Sequence, residues 1–520
     1  MLVSTFLLLP TPALTPATSF PFSLPSFSFV IYINILPIYK DVLNEKLRKT
    51  CGHFHFPIHQ PPTSSLQPGL QTSFCFPRSA FLLLQLKEDS NHSLLSSKRK
   101  ANTPLPLNLK TYNVEASVPD QGVDLAKNPF KEGAFFIRNA PRNFRLGVEA
   151  AVGESGRSVT CLVCDTFFAS VVASIGEELS VPWVSFWVAA PSALLAYVCY
   201  DLVREVYINL CSKCDGNVAG CTLEAVPGLS RIHALDLPGD MVESFRGRNK
   251  DPDSAMFAKM MRDNALALPR AAAVATNSHE LLSPAELTSD LKSKFNELLC
   301  LGFMTLSSMP PLLPLPSSEE DATTGCLSWL DTQAAASVAY VCFGTMGALP
   351  PEELAALAEA LEASGVPFVW SIKDELAGHL PRGFAERTAV KCGNKLVAWA
   401  PQREILAHGA VGAHVTHCGY NSLCESILGG VPVICRSLWA DNHINARMAE
   451  EVWKIGVRVE EGVITKKGML DCLEAVFRSP KGKQLREAAG ALKEAVVEAA
   501  SPDGDAARDF ESLVEIISNA

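Results

Sequence analysis

The sequence predicts an α/β protein of two Rossmann-like domains facing one another across a cleft, and three observations carry that prediction. Apolar strand-like runs alternate with helical runs from about residue 80. One Pro- and Ser-rich acidic stretch, "SSMPPLLPLPSSEEDATTG" at 307–325, interrupts the alternation, which then restarts. A chain of 520 residues that is 48% hydrophobic is also too large for a single core and has apolar material for two. The expected layout is a leader over 1–79, a first domain over 80–306, a linker over 307–325 and a second domain over 326–500.

The leader differs from everything after it. It opens on "MLVSTFLLLPTPALTPATSFPFSLPSFSFVIYINILPIYK", apolar but broken by proline every few residues. It lacks the basic start and cleavage site of a secretory signal, and no uninterrupted run reaches the roughly 18 to 20 residues of a spanning helix. In the first domain "SVTCLVCD" reads as a buried strand, "FFASVVASIGEEL" as the helix after it, and "VPWVSFWVA" as the next strand. "PSALLAYVCYDLVREVYINL" then reads as one helix and "AAAVATNSHEL" as a strand and turn. Beyond the linker, "SVAYVCFGT", "PFVWSI", "KLVAWA", "AVGAHVTHCG" and "VPVICRS" read as strands. "PPEELAALAEALEASG" is a helix with Pro in its first turn and Gly at its end. Two helices rich in Ala, Glu and Lys follow, and then "ARDFESLVEIISN".

The net charge of -10 and the lack of a long basic run argue against a nucleic-acid partner. Sixteen scattered cysteines, many inside apolar strands, suit reduced thiols in a cytoplasmic protein. Cys161 and Cys164, then Cys211 and Cys214, form two C-x-x-C pairs of the kind that bind zinc. The first pair lies in a strand, where residues three apart point to opposite faces, so no metal site is expected.

"HVTHCGYNS" at 414–422 runs from an apolar strand into a turn, and "LCESILGGVPVIC" continues it as a helix ended by Gly429 and Gly430. The quoted turn is therefore a helix N-terminus. Its free backbone N–H groups carry partial positive charge and can cradle a phosphate. The alternative is that Asn421 and Ser422 merely cap the helix and that His417 is a satisfied core residue. Other polar residues gather at the carboxyl ends of the predicted strands, where ligands of such sheets bind. Thr345 follows "YVCFG", Trp399 and Gln402 follow "KLVA", and Asp441 and Asn442 follow "VICRSLW". An anion cradle, a flat aromatic and several hydroxyl-binding groups describe a site for a nucleotide joined to something polyhydroxylated. There is no G-x-x-x-x-G-K-S/T, and the absence of G-x-G-x-x-G disfavours a nicotinamide-dependent oxidoreductase.

The 44 residues from Trp399 to Asn442 resemble the signature box of plant secondary-product UDP-glycosyltransferases, with its tryptophan, Gln, His-Cys-Gly, Asn-Ser, Glu and late Asp at matching spacings. The resemblance extends from about residue 80 to the end. Phrases such as "LKTYNVEASVPD", "VPGLSRIHALDLPGD" and "GALKEAVVEAASPDG" are most similar to the flavonoid and anthocyanidin 3-O-glucosyltransferase branch. The resemblance implies a GT-B fold, with an acceptor-binding first domain, a UDP-sugar-binding second domain and a closing segment, 501–520, that returns to the first. It implies inverting transfer of glucose or a related hexose from a UDP-sugar, a co-substrate and not a cofactor, to a flavonoid-type acceptor by a cytoplasmic monomer.

By the same resemblance Trp399 stacks on uracil, Gln402 and Glu425 bind ribose, and His417, Gly419, Tyr420, Asn421, Ser422 and Thr345 build the turn that holds the diphosphate. Asp441 and Asn442 contact the sugar. Asp165, in "CLVCDTFF", matches an aspartate that orients a catalytic histidine, although at a strand end it would also serve as a helix cap. That histidine should follow a first buried strand, which is missing here, so the first domain is expected to be incomplete. The nearest imitation is His59 in "HFHFPIHQPP". A homologue that binds UDP-sugar without turnover is therefore the rival expectation. Tyr420 stands where the family usually has Trp, Asn442 where glucose users have Gln, and Ser437 where Pro is usual. Val188 replaces a Thr near the sugar, and Tyr197 replaces a His at the acceptor wall.

Overall fold

Runs of Val, Ala, Ile and aromatic residues with no polar alternation need cover on both faces, and here they form two separate parallel sheets. The computed structural model describes residues 129–518 except 156–157, 215–216, 219, 248–251, 304–324 and 345–346, together with strands β1 (Leu83–Leu86) and β2 (Thr111–Val114). His59, Thr345 and nearly all of the stretch 307–325 lie outside the described residues. β1 and β2 pair with each other in parallel. The first sheet has the order β3-β4-β5-β6, from Leu162–Asp165, Trp183–Trp187, Ala273–Thr276 and Leu298–Cys300. β6 was not among the expected strands, because "LLC" is too short a run to stand out beside its helical neighbours.

The expected helix over 191–210 is two helices, Pro191–Val198 and Tyr200–Lys213. At Cys199 the backbone leaves helical angles (φ −90°, ψ 22°), although its N–H still reaches the Leu195 carbonyl. Tyr197 and Tyr200, on either side of the break, are both buried, 2% and 9% exposed.

The second sheet has six strands: β7 (Val338–Cys342), β8 (Phe368–Ser371), β9 (Lys395–Val397), β10 (Val411–Thr416), β11 (Val433–Cys435) and β12 (Gly456–Arg458). Their order is β12-β11-β10-β7-β8-β9, all parallel. The chain winds outward in one direction from β7 and in the other from β10, which opens a crevice between their carboxyl ends. One face of the sheet packs Val341, Trp370 and Val415 against Leu357, Leu361 and Leu473. The other packs Val338, Tyr340 and Val369 against Ile405 and Leu406.

Several contacts tie the domains together. One apolar cluster joins Leu229, Met241 and Phe303 of the first domain to Tyr420, Ile427 and Ile444 of the second. The helix Asp505–Ser518 crosses back to the first sheet, where Phe510, Leu513 and Ile517 cover Val184, Ala273 and Leu299. Asp509 accepts the backbone N–H of Cys300 at 2.6 Å. Asp236 of the first domain is buried between Arg447, at 2.7 Å, and Arg458, at 3.2 Å. The Arg447 and Asp236 side chains are only 7% and 5% exposed, so loss of either partner strands the other's charge away from water.

Arg447→Ala is accordingly expected to destabilise the protein by about 3 kcal/mol, at the lower end for a broken buried pair because Arg458 still faces Asp236. Urea denaturation of the two proteins measures the difference.

Candidate functional site

The crevice between β7 and β10 holds a cavity of about 780 Å³ that reaches from Trp399 and Gln402 at one end to Asp441 and Asn442 at the other. Its wall at the sheet is the turn after β10. His417 follows the strand, Cys418 takes a left-handed conformation (φ 65°), and Gly419 is the N-cap of the helix Tyr420–Gly429. Gly419 makes no side-chain cap bond, and Asn421 and Ser422 lie inside the first turn, so these two do not cap the helix. The helix ends at Gly430, which is left-handed at φ 70° as a C-cap glycine should be.

The His417 ring lies between two glycines. A β-carbon on Gly344 would come within 2.7 Å of His417 Cε1, and one on Gly419 would overlap Nε2. His417 is 9% exposed, yet its Nδ1 has no hydrogen-bond partner. It is therefore not fully satisfied within the fold, and neither is His414, whose Nε2 also lacks a partner. Burial lowers the His417 pKa to about 4, so the ring is neutral near pH 7. Behind it, His414 is wholly buried, bonded through Nδ1 to Ser426 Oγ at 2.8 Å and tilted by 31° against the Tyr340 ring, and burial lowers its pKa to about 3.

A chain of hydrogen bonds crosses the other end of the cavity. Tyr340 OH donates to Gln402 Oε1 at 3.2 Å, and Gln402 Nε2 donates to Ser422 Oγ at 3.2 Å and to Glu425 Oε2 at 2.7 Å. Burial raises the Glu425 pKa, with the Gln402 hydrogen bond working against it. Beside this network Trp399 is 42% exposed, a large aromatic face left open where a flat ring can stack.

At the far end Asp441 is buried, which raises its pKa, while the amide of Asn445 at 3.1 Å and the backbone N–H of Ala190 oppose that rise. Ala190 belongs to the first domain, so this carboxylate is held from both sides of the cleft. Asn442 lines the cavity but is buried, and its Nδ2 has neither exposed surface nor a hydrogen-bond partner.

The remaining candidates are placed differently. Asp165 ends β3 and accepts the Phe167 backbone N–H at 2.8 Å, capping the short turn Thr166–Phe168. Tyr197 is buried against Trp187, and its hydroxyl donates to both carboxylate oxygens of Asp240 at 3.0 Å. Ala189 lines the cavity where Val188 was singled out. Cys214 lies beside Cys221, Sγ to Sγ 3.4 Å, and among the described residues no group of three or more His, Cys, Asp or Glu is arranged to hold a metal ion. Tyr340, Gly344 and Trp439 also line the cavity without having been singled out. Their sequence signal, a strand interior or a lone glycine or aromatic, does not distinguish them from core residues.

The description "UDP-glucuronosyl and UDP-glucosyl transferase" belongs to the family model that matches residues 317–487. A flavonol 3-O-glucosyltransferase of Actinidia chinensis var. chinensis is 40% identical over 464 residues, covering 89% of this chain and 95% of that protein. That length exceeds the stretch from 80 to the end, so the match reaches back into the leader. An anthocyanidin 3-O-glucosyltransferase of Vitis vinifera is 39% identical over 466 residues, covering 89% and 96%. The crystal structure of a UDP-glucose:anthocyanidin 3-O-glucosyltransferase in complex with UDP aligns with a TM-score of 0.72 and 38% identity, over 80% of this chain and 88% of that one. Those neighbours share the GT-B fold. Among the described residues no helix is long and apolar enough to cross a membrane.

The buried histidines give a pH signature. His414 and His417 titrate in the fold below the ordinary histidine value, so the unfolded chain takes up their protons first as the pH falls. The stability they permit is fully present above about pH 6.5 and is lost as the pH drops toward 4. Replacing His414 with Gln is expected to flatten the acid limb of a plot of urea midpoint against pH.

Proposed function

We propose that this chain, which belongs to the family of UDP-glucuronosyl and UDP-glucosyl transferases, moves a hexose, glucose in the first instance, from a UDP-sugar to a hydroxyl of a flavonoid-type small molecule. The observation that carries this is the turn at His417: a helix N-terminus without a side-chain cap, a neutral histidine lining the cavity, and two glycines that keep space for its ring, all at the switch point of the second sheet.

The roles are those the family resemblance implies, and the lining of the cavity is compatible with them. Uracil stacks on Trp399, the ribose hydroxyls meet Gln402 and Glu425, and the diphosphate lies against His417, Asn421 and Ser422, with Thr345 beside them. The sugar reaches Asp441 and Asn442. The acceptor oxygen attacks the anomeric carbon from the side opposite UDP as it loses its proton to a base. The bond to the diphosphate breaks with its electron pair, and the configuration inverts. Negative charge grows on UDP during that step, and the helix N-terminus is already oriented to stabilise it. His59, the nearest match to the family's base, is the candidate for that role, and Asp165 matches the carboxylate that orients such a histidine. The acceptor lies on the first-domain side, near Val188 and Tyr197. No metal or bound cofactor takes part, and the protein acts as a cytoplasmic monomer.

A homologue that binds without turnover is the rival, and nothing supports it: the relatives aligned over 89% of the chain are named for transfer. Incubating the purified chain with UDP-glucose and a panel of flavonols and anthocyanidins is expected to give hexose adducts by mass spectrometry, with or without EDTA. Binding of UDP with no adduct from any acceptor would favour the rival. Trp399→Ala is expected to raise the KM for UDP-glucose about tenfold, the worth of one base stacked on an aromatic ring, with a smaller effect on kcat.

A further inference from the structure

The phosphate-facing turn belongs to the second domain, yet the first domain holds it in place. Asn277 and Ser278 follow β5 and are 5% and 0% exposed. Asn277 Nδ2 donates to Asn421 Oδ1 at 3.1 Å, and Tyr420 OH donates to Ser278 Oγ at 2.8 Å. Two adjacent residues of one domain thus grip the first two residues of the helix in the other. The gripping segment is itself fixed: the Asn277 N–H is bonded to the Trp187 carbonyl at 3.0 Å and the Gly302 N–H to the Ser278 carbonyl at 2.8 Å.

Asn421 carries a carboxamide, which presents an acceptor on one side and two N–H donors on the other. Its acceptor oxygen is occupied by Asn277, while the residue is half-buried and lines the cavity. The bond therefore decides which end of the amide the ligand meets. We propose that Asn277 is a positioning residue of the donor site: by taking the Asn421 oxygen it turns the Asn421 N–H groups toward the diphosphate, so that the first domain completes the anion site of the second. This rests on the diphosphate assignment made above.

The test is calorimetric titration of the full chain with UDP and with uridine, for wild type, Asn277→Ala, Asn421→Ala and the double variant. Wild type should bind UDP well over tenfold more tightly than uridine. If it binds both alike, the diphosphate assignment itself fails. Asn277→Ala should weaken UDP about five- to tenfold, the worth of one correctly aimed hydrogen bond, and leave uridine unchanged. In the Asn421→Ala background the same change should cost UDP nothing further, because the two residues act as one unit. Equal losses for UDP and uridine would make Asn277 a general domain contact. Additive losses, or an unchanged UDP affinity in a wild-type background that prefers UDP, would equally overturn the proposal. Thermal melting of each variant separates these outcomes from misfolding.

Discussion

Strands β7 and β10 lie side by side while the chain leaves them in opposite directions, and the candidate site depends on that divergence. No loop closes over the carboxyl ends of two strands whose connections part, so a crevice remains there. The residues just beyond those ends are then compelled to be small or strained. Gly344 is left-handed at φ 73° and Cys418 at φ 65°, and a side chain on either Gly344 or Gly419 would occupy the space of the His417 ring. The turn's backbone is costly to build, and the packing of Cys418 and Tyr420 in the inter-domain cluster and the bond from Asn445 Nδ2 to the Cys418 carbonyl hold it in place.

Burial sets the electrostatics. His414 and His417 stay neutral, and the buried carboxyls of Glu425 and Asp441 are pushed toward protonation. The turn at His417 thus lines the cavity with oriented dipoles, the backbone N–H groups and one imidazole, and burial strengthens such dipoles. Dipoles already fixed in direction need no reorganisation when charge moves onto the leaving group. The same low polarity makes Asp236 dependent on its arginines and leaves Asn442 Nδ2 an expensive atom to keep unbonded.

The second domain was largely legible in the sequence, because its strands are unbroken apolar runs and its site residues are packed into one stretch, Trp399 to Asn442. Periodicity located the helix after "HVTHCG", and Gly429 and Gly430 announced its end. Bonds between distant parts of the chain were not legible. Asn277 stands 144 positions from Asn421, and Asp236 stands 211 from Arg447, so neither partner leaves a mark near the other. Tyr340 looks like any strand residue until its hydroxyl is seen to reach Gln402. The break at Cys199 that divides the helix expected over 191–210 was not legible either, because no Gly or Pro marks it in the sequence.

The crossing of the helix Asp505–Ser518 to the first sheet bears on how the protein is made. Val184, Ala273 and Leu299 pack against Phe510, Leu513 and Ile517, more than 200 residues downstream of Leu299. During synthesis the first sheet therefore emerges from the ribosome without the part of its cover that this helix supplies, and it waits for that part while the whole second domain is translated. Until residues 505–518 arrive, the nascent chain presents a sticky sheet surface of the sort that chaperones shield, and a ribosome that stalls late releases a protein whose second domain is whole but whose first is not.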